Sequence, residues 1–141
     1  MSKLPINQQL ARFKAERMKI SSAISLMARK HFSSNFNNQG FDGKAWKNVK
    51  RRTNPTKRDI KNGGSTRAIL YGKKSGVLSK SITGTVRSWD KIVIGTTVDY
   101  AKFHNEGTAK IPKRQFIGDS EILNKKIVNL IESKINAIFK K

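Results

Sequence analysis

Two histidines, His31 and His104, and nine scattered acidic side chains leave few candidates for acid–base chemistry. His104 stands beside Asn105 and Glu106, so imidazole and carboxylate lie two positions apart. On a helix such positions face different ways. A general base must also be held by a partner within reach of a substrate. No nucleophile–base–orienter set can be assembled from these residues, so no catalytic residue is expected, and His104 reads as a structural hydrogen-bonding residue. Cysteine is absent, which excludes disulfides, zinc–thiolate sites and a cysteine nucleophile. Two distant histidines without clustered carboxylates make a poor metal site, so neither metal nor cofactor is expected. The run Asn62-Gly63-Gly64-Ser65-Thr66 is glycine-rich but lacks the Gly-Lys-Ser/Thr ending of a phosphate-binding loop. It reads as a flexible loop.

Charge is the stronger chemical signal. The 141 residues carry 30 Lys and Arg against nine acids, a net charge of +21 with neutral histidines. Between Lys44 and Lys74 there are eleven cations and one acid, Asp59. Lys50, Arg51, Arg52, Lys57 and Arg58, with Arg67, Lys73 and Lys74, match the electrostatic footprint of a polyanion contact. The polyanion is either DNA or an acidic protein surface. Trp46 lies among these cations and is suited to stacking on a base.

These groups must be held by a scaffold, and 141 residues suffice for one domain, 1–141. Leu10, Phe13, Ile20, Ile24 and Met27 fall on one stripe, which predicts a long amphipathic helix over 6–36. Asn35, Asn37, Asn38 and Gly40 supply its stop signals. Residues 40–80 are poor in apolar side chains and read as a long basic loop or arm, with Phe41 and Trp46 anchoring it and an Asp42-Gly43 turn between them. Over 81–97, Ile82, Gly84, Val86 and Ser88 alternate with polar residues, and Ile92-Val93-Ile94 follows the Trp89-Asp90-Lys91 turn. That pattern predicts a β-hairpin. Residues 98–118 read as a short helical turn around Tyr100, Phe103 and His104 and then a loop. In that loop Pro112 opens an extended segment that points Phe116 inward and Lys113 and Arg114 outward. Leu123, Ile127, Leu130, Ile131 and Ile138 predict a final helix over 119–141, capped by Asp119 or Ser120. The expected class is α+β: a long N-terminal and a C-terminal helix packed on a small antiparallel sheet, with a long basic loop. No run of about 18 apolar residues occurs, so no membrane span is expected. The first ten residues lack a signal-peptide core, and the protein is expected to be soluble and made in a cytoplasm.

Seven segments in order then carry a resemblance. They are Phe41-Asp42-Gly43-Lys44-Ala45-Trp46, Arg51-Arg52-Thr53, Ile69-Leu70 and Ser75-Gly76-Val77-Leu78-Ser79-Lys80-Ser81-Ile82, followed by Ile94-Gly95-Thr96, Tyr100-Ala101-Lys102-Phe103-His104-Asn105-Glu106-Gly107 and Ile111-Pro112-Lys113-Arg114-Gln115-Phe116-Ile117-Gly118. Together the chain resembles the phage virion morphogenesis family, also described as tail completion proteins. The resemblance implies a non-enzymatic structural protein of a tailed phage or prophage. It implies a place at the head–tail junction or tail terminus, in the virion and, during assembly, in the host cytoplasm. The implied partners are further copies in a hexameric or higher ring, other neck, portal or tail proteins, and packaged DNA. Phe41, Trp46, Tyr100, His104, Pro112, Arg114 and Phe116 are the expected subunit-interface residues or loop anchors. A stand-alone nucleic-acid-binding protein is the alternative reading of the charge.

Overall fold

A computed structural model describes residues 4–72 and 76–139. The element order is α1 (Ile6–Asn38), β1 (Gly40–Phe41), β2 (Lys44–Ala45), α2 (Lys50–Thr53), α3 (Lys57–Lys61), α4 (Val77–Lys80), β3 (Thr83–Ser88), β4 (Lys91–Gly95), α5 (Ala101–Glu106) and α6 (Glu121–Phe139). β1 pairs with β2 and β3 with β4, each pair forming its own two-stranded antiparallel sheet. The α+β class expected from the sequence is therefore the observed one. Two compact units share these elements.

The first unit takes its described residues from Met1–Lys30, Thr83–Ile94 and Asp119–Lys141. α1 forms because its apolar residues recur at helical spacing with no Pro or Gly inside it. Ile20 is buried and Phe13, Ile24 and Met27 are half-buried, whereas Leu10, on the same expected stripe, is exposed. In β3 the burial alternates residue by residue, with Gly84, Val86 and Ser88 on the covered side. Gly84 is where α1 passes close: a Cβ there would lie 2.9 Å from Ile94 Cδ1 and would also overlap Ser25 Oγ. Trp89, in the turn, packs edge-on to Phe13 at 6.3 Å, with the Arg17 guanidinium 5.5 Å from its ring. Ser21 Oγ donates to the Trp89 carbonyl. α6 begins where the Ser120 hydroxyl accepts from the Leu123 amide at 3.1 Å, which makes Ser120 the cap. Leu123 and Ile138 bury one face of α6.

The second unit takes its residues from His31–Ile82 and Gly95–Gly118. Here the segment read as a loop over 40–80 carries a tight hairpin and three short helices. Asp42 and Gly43 make the hairpin turn with φ of 45° and 77°. That positive-φ pair matches the twist of two antiparallel strands, and Asp-Gly tolerates it. α3 starts in a capping box between Thr56 and Asp59. The following glycine-rich run is held by Gly64 and Ser65 amides donating to the Asp59 carbonyl at 2.7 and 3.3 Å. The sequence pattern failed to show these elements because short helices closed by caps and turns need no apolar periodicity.

The core of this unit is aromatic. Phe36 meets Trp46 edge-on at 5.6 Å and Phe116 at 5.0 Å, and Phe116 is 1% exposed. Each such side chain contributes roughly 1.5–3 kcal/mol by leaving water. α1 runs two residues beyond the expected end, and Asn35, read as a stop signal, is buried inside it with its amide on the Phe116 carbonyl at 3.0 Å.

Candidate partner-binding site

The extended segment after Pro112 is pinned to its neighbours by polar side chains. Asn105, in α5, accepts from the Phe116 and Ile117 amides at 2.9 and 3.0 Å. The Arg114 amide donates to the His104 carbonyl at 2.7 Å. Trp46 Nε1 donates to the Gln115 carbonyl at 2.7 Å. With three hydrogen-bonding residues on one short strand-like run, Phe116 has one place to go.

Arg114 does not point outward. It is 6% exposed, and its Nε and Nη2 donate to the Lys47 and Asn48 carbonyls at 3.0 and 3.3 Å. Arg114 lies two positions before Phe116, so along an extended segment the two share a face and are buried together, whereas Lys113, on the other face, is exposed as expected. Trp46 is corrected likewise. At 8% exposure, with its ring edge on Phe36, it offers no face to a base and serves as an anchor.

Arg51 also turns inward. Its Nη1 donates to the Gly64 and Arg67 carbonyls at 3.2 and 3.0 Å, and its Nη2 to the Ala68 carbonyl at 3.0 Å. One guanidinium thus closes the run from α2 to Ala68. Burial first, then the charges of Arg67 and Arg52, hold its pKa below the ordinary arginine value; burial does the same to Arg114. Gln39 completes the frame by accepting from the Ile69 amide and from Arg52, both at 3.0 Å.

The remaining expected positions are scattered. Lys50, Arg52, Lys57 and Arg58 are exposed, and Arg67 is half-buried with Nη2 on the Asn62 carbonyl at 3.3 Å. Lys73 and Lys74 lie outside the described residues. Phe41 is half-buried and Pro112 exposed. Tyr100 is 46% exposed and meets the His104 ring edge-on at 6.0 Å.

His104 accepts a hydrogen bond at its backbone carbonyl. Its Nδ1 is buried with no hydrogen-bond partner among the described residues. Burial and then the Arg114 charge depress the imidazole pKa below 6.5. His104 and the two inward arginines, with Tyr100, border one cavity of about 590 Å³ whose other walls include Ile69, Leu70, Val77 and Leu78. The sequence reading missed Asn105, Gln39 and Asn35 as positioning residues. An Asn or Gln in a polar stretch has no spacing that tells a clamp from a solvated side chain.

Among the described residues no group of three or more metal-ligating side chains occurs, and no helix is long and apolar enough to cross a membrane. Compared with known proteins, residues 5–136 match the model of the phage virion morphogenesis family. No curated protein and no solved structure matches.

Proposed function

The chain belongs to the phage virion morphogenesis family and is a phage assembly protein, and from that premise we propose that it acts as one subunit of a ring at the head–tail junction or tail terminus. The observation that carries this reading is the family match across nearly the whole chain, with α1 and all but the last three residues of α6 inside it. In this reading the protein works by docking, without enzymatic turnover. Lys50, Arg52, Lys57 and Arg58 give its second unit four exposed positive charges for an acidic portal-side or tail-side partner, or for DNA crossing the ring. A sliding polymer needs diffuse phosphate contacts and no base-reading pocket, and the burial of Trp46 is consistent with that.

The test uses nuclease-treated, gradient-purified particles probed with antibody and gold. Label confined to the neck or tail end supports the ring position. Particles without the protein, with the chain on nucleic acid in the lysate, would remove it. That second outcome would promote the stand-alone nucleic-acid-binding reading, which the same four exposed cations favour.

A further inference from the structure

Arg51 and Arg114 border the same cavity, and neither has a carboxylate within ion-pair distance among the described residues. They are near enough that Arg114 lowers the pKa of Arg51. Asp59 acts on Arg51 only from a distance, its own carboxylate being taken by the Thr56 amide and hydroxyl at 2.9 and 2.7 Å. A guanidinium has five N–H donors. Arg51 makes three hydrogen bonds and Arg114 two, all to neutral carbonyls. Donor capacity and two positive charges therefore remain beside the cavity, and part-buried charges without a counter-ion are costly.

The rest of the wall is apolar, with Ile69 and Leu78 buried. Leu70 holds φ at +59°. Left-handed backbone at a bulky residue is strained, and such residues concentrate at binding sites.

We propose that the cavity between Arg51, Arg114, Leu70 and Val77 receives an acidic segment of a partner protein, inserting a side-chain carboxylate next to a bulky apolar side chain. The proposal rests on the assembly role above and names the chemistry of the partner. The carboxylate meets the two guanidiniums in a forked geometry, and the apolar side chain covers Leu70 and Val77. Charge complementarity selects the occupant. A second copy has only nine acids against 30 cations from which to supply the carboxylate, whereas an acidic partner is drawn in. DNA fits the exposed lysines outside better than apolar walls, which offer a hydrated phosphate nothing.

The experiment uses the full-length purified chain and fluorescence anisotropy. The probe is a labelled, end-blocked pentapeptide with glutamate between two leucines; the controls carry glutamine there, or are a short DNA duplex. Glutamate should bind about tenfold or more tighter than glutamine, and Val77→Glu should weaken it about tenfold or more. Leu70→Asn keeps the left-handed backbone and removes the apolar wall, so it tests the site if Val77→Glu fails to fold. It should weaken binding similarly. Lys57→Ala with Arg58→Ala should change peptide affinity less than about twofold and weaken the duplex instead. Equal affinity for glutamate and glutamine peptides overturns the proposal. So does binding that ignores both cavity variants but falls with the surface lysine and arginine, or a duplex that displaces the peptide from the cavity. Peptide failure with gold label still at the neck removes only the cavity proposal, whereas absence of label removes the assembly role.

Discussion

Arg51 and Arg114 are both visible in the sequence as cations, yet they do different work from Lys50, Arg52, Lys57 and Arg58. A charge count cannot separate an arginine bracing carbonyls from one in solvent, because the partners of Arg51 sit 13 to 17 residues away and those of Arg114 sit 66 and 67 away. His104 shows the same gap: the sequence shows an imidazole beside Asn105 and Glu106, but not its buried, unpartnered Nδ1. Its depressed pKa has a sign that can be checked. The unfolded chain takes up the proton first as pH falls, so stability is complete above about pH 6.5 and declines as pH drops toward the lower folded value. His104→Gln should flatten that decline. Urea unfolding of both proteins at about pH 7.5 and about pH 5.5 measures it, and equal slopes for the two would refute the assignment.

Long elements and short ones differ in how far they could be read. α1, α6 and the β3–β4 hairpin each repeat an apolar pattern over several turns or pleats, and their positions match the expectation to within a few residues. α2, α3 and α4 span four or five residues each and are made by caps and turns, which no periodicity reports. Gly84 sits between these cases. Its place on the covered face of β3 was readable from alternation, but the reason for glycine there was not. The helix passes so near that any side chain collides with Ser25 and Ile94. Gly84→Val should therefore destabilise by about 1–3 kcal/mol through overpacking. Gly43→Ala, where nothing lies within 4 Å of the added carbon, should cost about 1 kcal/mol from its φ of 77° alone. Chemical unfolding of the two variants side by side should rank them in that order, and the reverse ranking would argue against a close helix–strand approach.

Across the whole molecule the excess of positive charge is the dominant property. At low ionic strength the charges repel one another, and salt shortens the reach of that repulsion to about 10 Å at 0.1 M. The melting temperature should rise as monovalent salt is increased. For duplex DNA, replacing Lys50, Arg52, Lys57 and Arg58 by Gln should make the plot of log affinity against log salt shallower, by ~0.9 for each phosphate no longer neutralised. Arg51→Gln should leave that slope near its original value and lower stability, because its guanidinium holds three carbonyls. If Arg51→Gln and the quadruple variant alter the slope alike, Arg51 is a phosphate contact after all.

Patterns that repeat along the chain were determined by the sequence alone: the α+β class, the two long helices, the hairpin, the excess of positive charge, and the ordered motifs shared with the phage virion morphogenesis family. Periodic burial and summed charge are local properties, so each short window carries its share of them. Which cations face solvent, which polar residues clamp the Phe116 segment and where a cavity opens were decided only by the tertiary structure. Those facts depend on single hydrogen bonds between residues far apart in the chain. A side chain such as Asn105 or Arg114 has the same composition and the same neighbours in sequence whether its partner lies across the fold or in water.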